Sequence, residues 1–444
     1  MNRRHFLMGT AGMGAFSRIA RSSPNDTIRV ACIGVGDPDI GVKGQGNAHL
    51  QSYSAMRNVE VAAICDVDER LLGHGQNLVE KAGRKKPAGV KDFRKILDDK
   101  TIDAVSIATP DHHHALQAIW ACQAGKDVYV EKPCSHNIFE ARQIMAAAHK
   151  YDRIVQHGVN ARSGVAVREA VQKMREGLIG DVYMARGIVF QTRDSIGRAS
   201  VEPVPAGVDY DLWLGPAAKR EFTRNRFHYN WHWLWDYGCG ELGNQGAHEI
   251  DIARWGLGVK VPVRVNAIGG HFMYDDDQET PNTILASWEF DDGGKRKLMS
   301  FEIRNASTSG HESGIGEERK PGARIRTVGN LFFGPNGYVA VEGYDRYKSF
   351  LGKEQQPGPG KVEGGNNWAN FIDALRSRDK SKLNGPIEEG ALSVMLVHLA
   401  NISYKVGRSL QIDPATGDVI GDAEAAKLYR RAPYRAPFVV PEKV

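Results

Sequence analysis

The stretch from Ile28 to Gly46 constrains the fold more than any other part of the chain. An apolar, largely β-branched run, Ile28-Arg29-Val30-Ala31-Cys32-Ile33, ends in Gly34-Val35-Gly36. A second glycine pair, Gly44-Gln45-Gly46, follows, and a helical pattern begins at Asn47. A strand, a glycine turn and a helix N-terminus in that order bring backbone N–H groups and the positive end of a helix to one point, which suits a pyrophosphate. Gly34 and Gly36 fill the first two positions of a dinucleotide fingerprint. If Asp37–Lys43 is an insertion, its removal leaves Gly-Val-Gly-Gly-Gln-Gly and makes Gly46 the third glycine, the one that packs helix on strand.

The chain then alternates. Strands are predicted at Val59–Asp66, Ala104–Ala108, Asp127–Val130 and Ile154–His157, with helices between them at Leu71–Ala82, Phe93–Leu97, His113–Ala124 and Phe139–Lys150. Such alternation means βαβ units and a parallel sheet with right-handed crossovers. Beyond about residue 160 the rhythm changes. After a helix at Ala166–Glu176, long alternating strands dominate: Val182–Thr192, Val263–Gly269, Ile284–Phe290, Lys297–Arg304 and Tyr338–Val341. That pattern fits an antiparallel sheet with one solvated face. Helices at Trp368–Arg376 and Glu388–Val406 close the chain, Ser307–Gly322 reads as a polar loop and Gln355–Gly365 as a Pro/Gly linker. The expected fold class is α/β: an N-terminal Rossmann doubly wound parallel sheet, then an α+β domain with a large, mostly antiparallel open sheet. The expected divisions are 1–25, a signal segment; 26–158, the Rossmann domain; 159–415, the α+β domain; and 416–444, a C-terminal tail.

Asp66 ends the second strand, 32 residues after Gly34, or about 25 without the insertion, near the spacing of a ribose-binding acid. A carboxylate there accepts hydrogen bonds from the ribose hydroxyls and repels a 2′-phosphate, which favours NAD over NADP. The alternative is an ordinary tight turn with Asp66 as a helix cap.

The charge excludes some partners. The chain of 444 residues carries +5, part of it on Arg3, Arg4, Arg18 and Arg21, and no Lys/Arg block is interleaved with aromatics, so nucleic acid is not implied. No apolar run reaches the length of a membrane span. Five scattered cysteines form no CxxC or CxxH pairing, so neither a disulfide framework nor a structural zinc is indicated. Asn2-Arg3-Arg4-His5-Phe6-Leu7, followed by a Gly/Ala-rich stretch, reads as a twin-arginine export signal and implies a periplasmic protein; a basic N-terminal segment is the alternative.

Two further motifs carry chemistry. Glu131-Lys132-Pro133 ends a buried strand, where open α/β sheets place their ligands. A lysine there can hydrogen-bond a substrate hydroxyl and stabilise the alkoxide that develops as hydride leaves. The segment from Leu242 to Asp251 puts His248 on a helix with Asp251 three residues on, and an imidazole titrating near neutrality suits a hydroxyl proton. The alternatives are a strand-capping surface lysine and a core histidine satisfied by Asp251. Phe227–Tyr237 is the densest aromatic stretch; Trp231, His232 and Asp236 read as sugar-stacking and hydrogen-bonding groups, or as packing residues. Arg162 follows the last Rossmann strand and reads either as a substrate contact or as a structural ion pair. His112-His113-His114 and the His228/His232 pair lack a convergent carboxylate or cysteine pattern, so no metal is expected.

Together the glycine turn, Ala108-Thr109-Pro110-Asp111-His112, Glu131-Lys132-Pro133 and the Gly-x-His-x-x-Asp segment resemble the Gfo/Idh/MocA family of nicotinamide-dependent oxidoreductases, over nearly the whole chain after the signal. The resemblance implies that Thr109, Pro110 and His113 line the nicotinamide side of NAD, that Glu131 contacts its ribose, and that Lys132 and His248 are catalytic. The family often has aspartate four residues before this histidine. Asn244 stands there, which moves proton transfer onto His248 and leaves Asn244 to orient substrate. The implied activity is hydride transfer between a ring hydroxyl carbon of a sugar or glycoside and NAD, by a homo-oligomer packed through its open sheet. Some proteins resembling this family are instead glycoside hydrolases with permanently bound NAD, in which oxidation, elimination, hydration and re-reduction sum to hydrolysis.

Overall fold

The structure, a computed structural model, describes residues 27–39, 44–305, 326–431 and 433–444. Residues 1–25, read as an export signal, and the expected Ser307–Gly322 loop lie wholly outside the described residues, as does the latter half of the insertion. The N-terminal half runs β1 (Ile28–Ile33), α1 (Gln45–Ala55), β2 (Val59–Cys65), α2 (Glu69–Lys81), β3 (Ala88–Val90), α3 (Arg94–Asp98), β4 (Ala104–Ile107), α4 (Asp111–Gln123), β5 (Asp127–Val130), α5 (Ile138–Lys150) and β6 (Val155–His157). The six strands pair in the order β3-β2-β1-β4-β5-β6, all parallel. The order reverses between β1 and β4, so their carboxyl ends open onto the crevice where such sheets bind ligands. β4 and β5 are buried along their whole length, as a sheet covered on both faces requires.

The second half runs α6 (Val165–Arg175), β7 (Met184–Gln191), α7 (Tyr210–Leu214), α8 (Gly240–Asn244), α9 (Gly246–Leu257), β8 (Arg264–Gly270), β9 (Thr283–Asp292), β10 (Lys295–Arg304), β11 (Arg326–Gly334), β12 (Gly337–Glu342), β13 (Arg346–Leu351), β14 (Gln356–Pro357), β15 (Lys361–Val362), α10 (Asn367–Ser377), α11 (Ile387–Val406), β16 (Leu410–Gln411) and α12 (Ala423–Lys427). Its strands form one ten-stranded sheet, ordered β14-β13-β12-β11-β7-β10-β9-β8-β16 with β15 beside β13. Every pair is antiparallel except β7 with β10. Alternation sets the two faces. β9 buries Ile284, Ala286, Trp288 and Phe290 under α9 and α11, while Leu285 stays 52% exposed. Ile268 and Leu298 share that outward exposure.

Short elements beyond the sequence expectation are β3, β13, β16, α7, α8 and α12, and three further segments differ from it. Gln355–Gly365 is no linker: β14 and β15 pair with β13 at the sheet edge. β11 was not foreseen, because Gly329 and Asn330 interrupt its apolar pattern. Asn330 is tolerated inside the sheet because its Nδ2 donates to the Glu249 carbonyl at 2.7 Å. Residues 416–444 are more than a tail. Phe438 and Val440 are buried in the Rossmann core with Leu116 and Ile119. Likewise Phe371 and Leu375 of α10 pack against Val30 and Tyr53, so C-terminal segments complete the N-terminal domain's core.

Candidate active site

The glycine turn after β1 is built as its spacing implies. Gly34 and Gly36 have φ of +86° and +83°, a region that a side chain strains. A Cβ on Gly36 would lie 2.5 Å from the Gly44 Cα, so the two ends of the Asp37–Lys43 insertion touch and the insertion leaves through a closed neck. A Cβ on Gly46 would lie 2.1 Å from the Gly34 carbonyl oxygen, so Gly46 lets α1 pack on the end of β1 and does not itself line the cleft. Asp37 and Asp39, at the insertion's start, are held by Arg70 of α2, whose guanidinium also lies 3.9 Å from Asp68.

The turn opens into a cleft of about 200 Å³ between the two domains. It brings together Gly34, Gly36, Asp66, Thr109, Pro110, His113, Glu131, Lys132, Trp231, His232 and Asn244. Asp66 accepts from the Val35 N–H at 2.9 Å and from the Asp68 N–H at 3.0 Å. Burial pushes its carboxyl up to about 6, with those backbone bonds pulling the other way. Glu131 is buried and accepts from His49 Nε2 at 3.0 Å. Burial raises its pKa, but the His49 hydrogen bond and the His49 and Lys132 charges outweigh it and hold the carboxyl below the usual range. Lys132 Nζ donates to the Asn244 carbonyl at 2.6 Å and, more weakly, to the Asn244 Oδ1 at 3.4 Å, joining the end of β5 to α8 and leaving one N–H group free to turn elsewhere.

The histidine run acts as an anchor. His112 and His113 both place Nε2 on the Trp213 carbonyl, at 3.0 and 2.7 Å, and His114 bridges the Thr109 and Pro133 carbonyls, both at 2.7 Å. Burial lowers the His113 pKa to about 4, so it is neutral at pH 7. Among the described residues no group of three or more His, Cys, Asp or Glu side chains could hold a metal. The aromatic stretch divides its labour. Phe227, Trp231, Leu234 and Tyr237 join Tyr210, Trp213 and Phe222 in a small core of their own. That core presents Tyr229, Trp231 and His232 to the cleft, with Trp231 and His232 stacked at 3.6 Å between centroids. His232 Nδ1 donates to the Tyr229 carbonyl at 2.5 Å, which leaves Nε2 as the basic nitrogen. Burial holds its pKa well below that of a free imidazole.

Besides Gly46, three expected residues fall outside the lining. Arg162 is a structural ion pair: Nε donates to Asp251 at 2.6 Å, Nη2 to Glu389 at 3.1 Å, and its guanidinium lies over Trp255. Asp236 accepts from Arg220 at 2.8 Å. His248 is buried and does not line the cleft, and its ring lies 4.8 Å from that of Tyr344. Asp251 does not satisfy it, being engaged by Arg162 and Ser393, and His248 Nδ1 has no hydrogen-bond partner among the described residues. Burial, with the nearby Lys132 charge, holds it neutral.

Sequence reasoning missed Tyr229, whose hydroxyl accepts from Arg193 at 3.0 Å while Arg193 pairs with Glu241. It also missed the bridge from His228, itself at φ +60°, to Asp68 at 3.0 Å, which closes the Asp66 end of the cleft. No local pattern marks either residue; both are set by a loop returning from the second domain.

A parallel sheet with a glycine turn at its switch point, an acid at the ribose position and a lysine in the same cleft define a dinucleotide-binding oxidoreductase. Two models of that class match: "Oxidoreductase family, NAD-binding Rossmann fold" over residues 28–159, and "Oxidoreductase family, C-terminal alpha/beta domain" over 189–299 and 344–440. The chain belongs to the Gfo/Idh/MocA family. Among curated relatives, a glycosyl hydrolase family 109 protein of Shewanella pealeana is 29% identical over 210 residues, 41% of this chain and 44% of that protein. An alpha-N-acetylgalactosaminidase of Shewanella oneidensis is 29% identical over 161 residues, 35% of this chain and 34% of that one. The match thus spans less than half the length of either. Among solved structures, levoglucosan dehydrogenase in complex with NADH and levoglucosan shares the fold at TM-score 0.63 and 20% identity, over 87% of this chain and 99% of that one.

Proposed function

We propose that the protein transfers hydride between a hydroxyl-bearing ring carbon of a sugar or glycoside and NAD held in the cleft. The observation that carries this reading is the convergence of Lys132 with the Gly34/Gly36 turn and Asp66 in one cleft. The residues fit NAD. The two turn glycines leave no room for a Cβ beside the backbone of Ala108 and Gly44, and Asp66 keeps acceptor capacity for ribose hydroxyls. Lys91, which lines the Asp66 end of the cleft, is paired with Glu69, and Arg70 is engaged by Asp37, Asp39 and Asp68, so neither nearby cation is kept for a 2′-phosphate.

Bound NAD supplies the hydride acceptor. The chain's own groups do the rest. Lys132 donates to the substrate hydroxyl and stabilises the developing alkoxide, with its ammonium positioned by the Asn244 carbonyl. His248, neutral at pH 7 and behind the cleft lining, takes the proton once bound substrate brings the hydroxyl within its reach, and Asn244, Trp231 and His232, which line the cleft, orient the sugar. Thr109, Pro110 and His113 flank the nicotinamide and Glu131 the ribose. Assembly and location extend the same reading. The exposed apolar row at Ile268, Leu285 and Leu298 supports a homo-oligomer through the large sheet, and the twin-arginine pattern supports export to the periplasm.

The glycosidase names of the relatives favour a second reading, redox-neutral hydrolysis with retained NAD. One experiment separates the two. The purified protein is assayed for bound NAD, then incubated with nitrophenyl glycosides and with free sugars. NADH accumulation without nitrophenol release supports net oxidation. Release without NADH accumulation supports hydrolysis and removes the first reading.

A further inference from the structure

A second cavity, of about 170 Å³, lies between the N-terminus of α5, the C-terminal half of α11 and residues 428–431. No residue lines both this cavity and the dinucleotide cleft. The wall between them is Cys239, whose N–H donates to Asp111 on the cleft side and whose carbonyl accepts from Asn401 Nδ2 at 3.0 Å on the other. The cavity is cationic. Lys405, Arg430 and Arg431 all line it, and neither Lys405 nor Arg431 has a carboxylate within ion-pair distance among the described residues. The neighbouring acids make their hydrogen bonds to other groups, Glu140 to the His136 N–H and the Tyr434 hydroxyl, Asp236 to Arg220 and Glu279 to the Trp235 N–H, and act on the two cations only from beyond ion-pair distance. Lys405 stands 3.7 Å above the Trp235 ring, which fixes its ammonium without neutralising it.

The polar atoms around the cavity are also unfinished. Asn401 is only 6% exposed, and because its Nδ2 is committed to Cys239, its Oδ1 is an acceptor; that atom has no partner. Arg431 Nη2 donates to His136 Nδ1 and to the Asp236 carbonyl, while its Nε is enclosed without a partner. His136 Nε2, which must carry the ring proton when Nδ1 accepts, is unpartnered too. Buried polar groups are rarely left unpaired, and here unpaired donors, one acceptor and two cations without an ion-pair partner line one cavity beside the first turn of a thirteen-residue helix.

We propose that this cavity is a binding site for a small oxyanion that retains a proton or hydroxyl group, such as hydrogen phosphate, with Lys405 and Arg431 facing the charge and Asn401 accepting from the ligand. The test titrates inorganic phosphate into the full-length protein, with NAD saturating the cleft so that the pyrophosphate turn is occupied, and reads binding by calorimetry. Wild type binds saturably. Lys405→Gln weakens binding at least tenfold, Lys405→Arg retains it within threefold, and all three proteins bind NADH equally, which shows that they are folded. Absence of saturable phosphate binding to wild type, or unchanged binding by Lys405→Gln, overturns the proposal.

Discussion

Gly36→Ala is the sharpest test of the phosphate-binding turn. The new Cβ would sit 2.5 Å from the Gly44 Cα and 3.1 Å from that residue's N and C, all backbone atoms that cannot rotate away. Alanine must also adopt φ near +83°. A non-glycine residue held there costs about 1–3 kcal/mol, before the contact with Gly44 is counted. If the neck holds its shape, the cost appears as lost stability, roughly 2–4 °C of melting temperature per kcal/mol in a domain of this size. If the neck opens to relieve the contact, the turn must be rebuilt when cofactor arrives, and the same ~1–3 kcal/mol becomes about a five- to 150-fold loss of NADH affinity. Differential scanning fluorimetry and NADH fluorescence titration on the same preparation read both terms. A variant with wild-type melting temperature and NADH affinity within twofold would refute the claim that Gly36 and Gly44 must touch for the turn to form.

Other expectations follow from individual side chains. Arg162→Met should destabilise the fold by about 3–5 kcal/mol in urea denaturation, because it strips the buried Asp251 of its charge partner, while sugar KM in the folded fraction stays unchanged; unchanged stability with a raised KM would restore Arg162 as a substrate contact. The Asp66 pKa is raised in the folded state to about 6, so ionising it opposes folding: stability falls as pH rises from about 4, its unfolded value, through 6, and is level above. NADH affinity runs the other way, rising through pH 6 as the carboxylate forms, and Asp66→Asn should flatten that profile; a profile unchanged by the substitution would remove Asp66 from the ribose site. Lys132→Met and His248→Ala should each lower kcat by about 10²–10⁴-fold with NAD still bound. If His232→Ala has that effect and His248→Ala does not, the proton acceptor is the imidazole that lines the cleft.

The parallel sheet was legible because fully buried strands leave long β-branched runs, and the large sheet because one-sided burial leaves alternation. β11 was not, since Asn330 finds its partner in α9, far away in sequence. The role of Phe438 was hidden for the same reason: its core belongs to a domain that begins 400 residues earlier. Within the site, local motifs located what local backbone builds: Gly34, Gly36, Asp66 and Lys132. They left Arg162 and Asp236 open between two roles; the partners are Asp251, Glu389 and Arg220, and the partner of a charged side chain is chosen by tertiary packing. They also passed over Tyr229 and His228, which enter the cleft only because a separate aromatic core holds their loop there.

The central claim is that sugar and NAD meet in this cleft under Lys132. The direct measurement is isotope transfer: the NAD-loaded protein is incubated with a sugar or glycoside deuterated on its ring carbons, and the cofactor is recovered and weighed by mass spectrometry. Under net oxidation wild type should leave deuterium on the recovered nicotinamide; under hydrolysis the same deuteride returns to the sugar, so the label should appear on cofactor trapped by acid quench during turnover, and Lys132→Met should show neither. Product formation by wild type with no deuterium on the nicotinamide of either the recovered or the quench-trapped cofactor would contradict the account.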